Sequence, residues 1–440
     1  RAPAAARRAD LAGQGHATVP RFSPHAVSIP GSVDAWCRLA ADHGTWDMAR
    51  LLAPAARLAR EGYRITPRVA YDWELAADAL DTDPDAQALF RDRAYAVGDR
   101  HAQPALADTL ERIGRDGRDG FYAGLVAEDM VAKLRARGGV HTLDDFAAHA
   151  GEWVEPIHTD YRGHRVWECP PNGQGIVALE MLNILAGLPV PGPHSAERLH
   201  QEIEAARLAY NDRDALLADT GTPVSALLSD AHARDLRARI DPDRALTDLP
   251  PPLMPDHPDT VYLCVVDKDR NAVSLINSLF DNFGSAILAP RSGVMLNNRA
   301  CCFSLAEGHP NALAPGRRPL HTIIPGMLTA GGRAVMPFGV MGGHYQAVGQ
   351  VRLLRALLDD GLDPQTALEL PRVFPVPGGP VQAEDTLTAV ARNGLLARGH
   401  RLVKPPKPLG GGQAIWIDHD RGVLIGGSEP RKDGLALGYE

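Results

Sequence analysis

Apolar residues recur at three- and four-residue spacing through "GSVDAWCRLAADHG" and again through "RVAYDWELAADAL", the period of helices that bury one face. "SIPGS" reads as a turn and cap leading into the first of them. Between Gln103 and Leu134 glycines divide the same period into two or three helices; "HTLDDFAAH" starts another behind Thr142 as a cap, and residues 196–217 form a further helical block. "RGHRVWECPPNGQGIVALEMLNILAGL" reads as strand, Pro/Gly loop and helix. "DPDRALTDLPPPLMPDHPD" is dense in Pro and Asp, has no hydrophobic period, and reads as a flexible surface connector.

Beyond it the texture changes. The runs "TVYLCVVD", "NAVSLINSLF", "SGVMLNN", "QAIWID" and "GVLIGGS" predict strands, with helices at "YQAVGQVRLLRALLDD" and "DPQTALEL". The "GGG" of Gly410, Gly411 and Gly412 reads as a tight turn before a strand. A helix-rich front and a strand-rich back, meeting at Asp259/Thr260, favour a layered α+β architecture over a doubly wound parallel sheet.

Composition narrows the class. The 440 residues are 45% hydrophobic and 23% charged, as in an ordinary globular protein of one or two domains. Forty-six basic against 54 acidic residues give a net charge of −8, which disfavours a nucleic-acid partner. The longest apolar runs fall short of the roughly 20 residues of a membrane span, so no membrane is expected. Cys37, Cys169, Cys264, Cys301 and Cys302 show neither C-x-x-C nor Cys/His zinc spacing, which argues against a disulfide framework or a metal and for a reducing, cytoplasmic compartment. No G-x-S-x-G, H-E-x-x-H or Walker A motif occurs, so neither metal nor other cofactor is expected.

The residue that raises a chemical question is Thr260, at the mouth of the predicted strand in "HPDTVYLCVVD". Threonine is a good strand former, which is one explanation. The other is a masked N-terminus, exposed when the chain cuts itself at Asp259/Thr260. The new α-amino group, with a reference pKa of about 7.7–8.0, would stand beside its own Oγ and serve as its general base. The tetrahedral oxyanion would then need preorganised donors, worth roughly 2.7–4 kcal/mol each. Gly342 and Gly343 in "FGVMGGHYQAVGQV" lead into a predicted helix and can offer backbone N–H groups at its N-terminus.

With both features placed, "SIPGSVDAW", "LLAPAARLAREGYRI", "DYRGHRVWECPPNGQGIVALEMLNIL", "DTVYLCVVDKDRNAVS", "FGSAILAPRSGVMLNN", "RRPLHTIIPGML", "GVMGGHYQ" and "GGSEPRKDGLALGY" resemble, in order, segments of the γ-glutamyltransferase family of N-terminal-nucleophile (Ntn) hydrolases. The resemblance implies a four-layer αββα sandwich and autocleavage into a large chain, 1–259, and a small chain, 260–440, that form one domain. It implies Thr260 as nucleophile, Ser278 hydrogen-bonded to it, and Gly342 and Gly343 as oxyanion hole. It also implies a further Gly-rich strand ahead of Arg1 and a possible homodimer of cleaved chains.

The departures from that family bear on substrate. Where γ-glutamyl-specific members hold the α-amino and α-carboxylate groups with an Asn, a Gln, an Asp and a Ser-Ser pair, the corresponding positions are Phe280, Arg299, Cys302, and Leu320 with His321 or His321 with Thr322. An ammonium would lack its counter-ion there, a costly loss once desolvated. A carboxylate-bearing amide without an ammonium suits Arg299, His321, Thr322 and Phe280 better. The pattern is closer to the oxamate amidohydrolase and cephalosporin acylase branch. "SLAEGHPNALAPGRRP" is too short for the lid loop of some transferases, which favours hydrolysis. The expectation is therefore an amidohydrolase of oxamate- or glutaryl-type substrates; the alternatives are a γ-glutamyl hydrolase or transferase, and an uncleaved relative without activity.

Overall fold

The helical period between Gln103 and Leu134 resolves into Pro104–Asp116, Asp119–Tyr122 and Gly124–Ala136 in the computed structural model, which describes residues 1–92, 95–247 and 260–439. Asp259 and the second part of the Pro/Asp-rich connector lie outside the described residues. Thr142 caps the next helix through a reciprocal capping box with Asp145, which satisfies two N-terminal backbone donors at once. Chain contacts divide the molecule into two units: Arg1–Trp153 with Leu279–Pro319, and Val154–Ser278 with Leu320–Glu440.

In the first unit, Met48–Glu61 packs on Pro104–Asp116 so closely that a Cβ on Gly114 would lie 2.9 Å from the Ala49 Cα. Its core gathers Val27, Ile113, Met130 and Phe146 with Ile287, Ala289 and Leu296. The late segment thus joins the core of the early helices. The strand predicted in "SGVMLNN" is reduced to Val294–Met295 paired with Leu288–Ala289. The facing segment turns at Ala286 and Gly284, at φ of +56° and +55°, so the pairing past Met295 continues only as single backbone bonds, such as Leu296 N–H to the Ile287 carbonyl at 3.0 Å.

The second unit is built on a six-stranded sheet. Its strands are β1 (Ile157–Tyr161), β2 (His164–Glu168), β5 (Gly326–Ala330), β6 (Arg333–Met341), β7 (Gly411–Asp418) and β8 (Val423–Ser428), with the hairpin β3 (Val261–Val266) and β4 (Ala272–Asn277) between them in the chain. The spatial order is β8-β7-β6-β5-β2-β1, antiparallel throughout. Two of the six strands therefore precede Thr260, so helices and strands segregate less cleanly than the sequence texture suggests. Nor is the triple glycine only a turn: Gly410 turns at φ +65°, while Gly411 and Gly412 pair with Met341 and Val340 inside the sheet.

Neighbouring residues of β6 show what covers each face. A Cβ on Gly339 would lie 2.4 Å from the Tyr262 ring of β3. The next residue, Val340, points the other way, and its Cγ1 lies 2.7 Å from where a Gly349 Cβ would stand, on helix α4 (Tyr345–Leu358). The sheet thus carries α4 on one face and the β3–β4 hairpin on the other. Three further helices of this unit are α1 (Gly175–Ala186), α2 (Ala196–Leu216) and α3 (Asp230–Arg237). Helix α1 is buried nearly all round, the pattern of a helix enclosed by its neighbours.

A charged knot ties this unit together. The buried Asp359 carboxylate accepts from Arg162 Nε at 2.7 Å, Arg198 Nη1 at 2.8 Å and Arg355 Nε at 3.0 Å, and from the Tyr161 hydroxyl. Arg355 also meets Glu202 at 3.2 Å. Every charge is paired, as burial demands.

Candidate active site

Strand geometry puts Thr260 where chemistry can use it. Side chains alternate along a strand: Tyr262 faces the sheet, Val261 is 63% exposed, and Thr260 shares the Tyr262 side at 7% exposure. Its Oγ1 lies 3.4 Å from the Ser278 Oγ, just past the end of the paired strand β4. The Thr260–Ser278 relationship expected from the sequence is therefore present.

A second partner is a residue that sequence reasoning did not single out. Gln346, one residue into α4, donates from Nε2 to Thr260 Oγ1 at 3.3 Å. Its Oε1 accepts the Ile324 N–H at 3.2 Å, and this backbone donor decides which way the amide points. The threonine hydroxyl proton is then left to point away from Gln346. The only sequence signal was its place in "GVMGGHYQ", one helical turn past Gly342.

Gly342 and Gly343 form the turn from β6 into α4, with φ of +125° and +57°. A Cβ on Gly342 would lie 2.8 Å from the Gly410 Cα, so no other residue fits there without displacement. The turn is held from behind. Gln174 Nε2 donates to the carbonyls of Gly343 and Thr322, both at 3.0 Å, while its Oε1 accepts from Arg213 Nη1 at 3.1 Å. Arg213 Nη1 also meets His344 Nδ1 at 2.9 Å, and the Tyr210 hydroxyl donates to the His344 carbonyl. A 14-residue helix starting at Tyr345 adds the positive end of its dipole.

His321 and Thr322 belong to the same unit. The His321 N–H donates to the Asn172 carbonyl at 2.9 Å, the Asn172 amide meets His321 Nδ1 at 3.0 Å, and the Gln174 N–H donates to the His321 carbonyl at 2.8 Å. The Pro/Gly loop before α1 thus braces this segment. Thr322 is fully buried and His321 half-buried.

Behind these residues Glu168 is buried at the end of β2. Burial raises its pKa well above the usual carboxylate range, with the Gln350 side chain opposing. Gln350 gives its amide N–H to the Ile324 carbonyl, and its Oε1 accepts nothing. Ile324 is consequently gripped on its N–H by Gln346 and on its C=O by Gln350.

The remaining expected residues fall in the first unit. Phe280 is fully buried at φ +81°, and the Arg299 guanidinium lies 4.4 Å from its ring centroid. Arg299 is itself 3% exposed, in a short 3₁₀ turn with Cys301 and Cys302, and burial lowers its pKa from the usual guanidinium value. Asp281, next along, is held bidentately by Arg21 at 2.8 and 2.9 Å.

The chain matches the family model described as Gamma-glutamyltranspeptidase over residues 1–439. It belongs to the gamma-glutamyltranspeptidase family. Among relatives in this family, it is 36% identical over 441 residues to a glutathione hydrolase-like YwrD proenzyme of Bacillus subtilis, covering 97% of this chain and 83% of that protein. It is 32% identical over 449 residues to an oxamate amidohydrolase proenzyme of Klebsiella pneumoniae, covering 97% and 84%. The crystal structure of a cephalosporin acylase from Bacillus halodurans superposes with a TM-score of 0.94 at 39% identity, covering 100% of this chain and 83% of that one. As a gamma-glutamyltranspeptidase family member, the chain is an autoprocessed Ntn amidohydrolase with the α+β, αββα sandwich fold.

Proposed function

We propose that Thr260 is the nucleophile, released by cleavage at Asp259/Thr260 into a 1–259 and a 260–440 chain, and that the substrate is an amide carrying a carboxylate but no α-ammonium. The observation that carries the first part is the Thr260 hydroxyl, buried and flanked by Ser278 at 3.4 Å and Gln346 at 3.3 Å. In this reading the freed amine takes the Oγ proton as Oγ attacks the amide carbon, then delivers it to the departing nitrogen. Water hydrolyses the resulting ester. Backbone N–H groups of Gly342 and Gly343 carry the negative charge that develops on the carbonyl oxygen. Ser278 and Gln346 hold Oγ1 on line.

The substrate class rests on the sequence departures at Arg299 and Cys302, with Phe280, His321 and Thr322 as the other substrate-binding positions, and it agrees with relatives named oxamate amidohydrolase and acylase. A glutathione-hydrolase reading is favoured by the name of the Bacillus subtilis relative. Release of ammonia from oxamate and of the amine from a glutaryl amide, each compared with release of aniline from a γ-glutamyl anilide, separates them. Preference for the first two supports our reading, and preference for the anilide overturns it.

A further inference from the structure

Glu180 on α1, Asp212 on α2 and His232 on α3 converge, with their Oε1, Oδ2 and Nε2 atoms all within 4.8 Å of one another. Nε2 lies 2.7 Å from Asp212 Oδ2 and 3.4 Å from Glu180 Oε1. Nε2 carries at most one proton, and its short contact is the one with Asp212. Glu180, at 1% exposure, is therefore left with Oε1 buried, aimed at the cluster and accepting no hydrogen bond. An unsatisfied buried carboxyl oxygen is costly.

We propose that these three residues bind a divalent first-row cation, with Zn²⁺ the best match to one imidazole and two carboxylates. Ligand bonds of about 2.0–2.1 Å in tetrahedral geometry put neighbouring ligand atoms roughly 3.3–3.4 Å apart. The Nε2–Glu180 separation already meets this. The Nε2–Asp212 contact must open by about 0.6 Å on the same geometry, and both partners can yield, since their side chains are 28% and 15% exposed. That exposure also leaves an entry path and room for water as fourth ligand. The cation takes the place of the Nε2 proton, which leaves to solvent, and it gives Glu180 Oε1 a partner. Its role is to clamp three helices that all precede Thr260.

Among the described residues a second buried cluster, His200, Glu204 and His400, has protein partners at its facing atoms, with His400 Nδ1 unpartnered. His200 Nδ1 meets His400 Nε2 at 2.7 Å, and Glu204 accepts from Arg207 at 2.8 Å and from the Leu246 N–H at 2.7 Å.

The test is calorimetric titration of the EDTA-stripped full chain with ZnCl₂, alongside thermal melting. Wild type should bind one equivalent and melt higher with the metal. His232→Gln and Asp212→Asn, changes at the solvent edge, should each weaken binding at least about tenfold and abolish the melting shift, while melting close to stripped wild type without metal. Absence of saturable Zn²⁺ binding by wild type, or binding by either variant as tight as wild type, overturns the proposal.

Discussion

Gln346 Nε2 lies 3.3 Å from Thr260 Oγ1, and the Ile324 N–H, 3.2 Å from Gln346 Oε1, fixes the amide in that direction. If this contact holds the nucleophile in line, Gln346→Glu, which puts an acceptor where a donor was, should lower kcat about tenfold or more, equivalent to roughly 1.4 kcal/mol. KM should change little, because the residue is assigned to the nucleophile and not to the substrate. Steady-state kinetics at pH 7.5 check this; unchanged kcat would remove Gln346 from the machinery.

The Gly342 turn should resist substitution. Gly342→Ala places a methyl 2.8 Å from the Gly410 Cα at φ +125°, at a cost of about 1–3 kcal/mol. Gly343→Ala, with φ +57° and so the left-handed region, should cost about 1–2 kcal/mol. Urea midpoints measure both. If either glycine also supplies an oxyanion donor, its variant should lose activity at temperatures where it remains fully folded.

Part of this turn was legible beforehand: two glycines and a helical period predict a helix N-terminus at that point, and it is there, whereas the strand Arg333–Met341 that leads into it was not among those predicted. Thr142 and the three glycine-divided helices were equally readable, because caps and periods are local. What escaped were long-range pairings. Nothing near Gln346 announces Thr260, 86 positions away, and Gln174 reaches Gly343 across 169. The placement of 279–319 with the early helices escaped for the same reason, since texture along the chain does not report which core a segment joins. The short strand at Val294–Met295 does not extend because the segment facing it turns at Gly284 and Ala286, both at positive φ, a break that the propensity of the strand itself does not report.

Glu168 makes stability depend on pH in a defined direction. Burial raises its pKa above that of the unfolded carboxyl, so the folded chain holds the extra proton. The contribution is fully present below about pH 4.3, the unfolded range for Glu, and is lost as pH rises through the folded value. Glu168→Gln keeps the size and polarity of the side chain without the ionisation. It should melt higher than wild type at pH 8, with the gap closing toward pH 5. A constant gap across that range would refute the assignment.

Asp359 should behave oppositely. Burial alone would raise its pKa, but hydrogen bonds from Arg162 and Arg355 outweigh this and lower it. Its stabilisation is present above the unfolded range of about 3.9 and is lost as pH falls through the folded value. Asp359→Asn leaves Arg198 and Arg355 buried without their shared anion, and should cost about 3–5 kcal/mol at neutral pH, read from urea denaturation. A loss below 1 kcal/mol would mean that the arginines find other partners.

The central claim is that Thr260 becomes an N-terminus and then the nucleophile. Intact mass measurement with N-terminal sequencing of purified wild type and Thr260→Ala tests it most directly. The account predicts two wild-type chains, the smaller beginning Thr-Val-Tyr-Leu, and a single uncut, inactive Thr260→Ala chain. A wild type that stays whole while active, or a Thr260→Ala protein cut at the same bond, would contradict it.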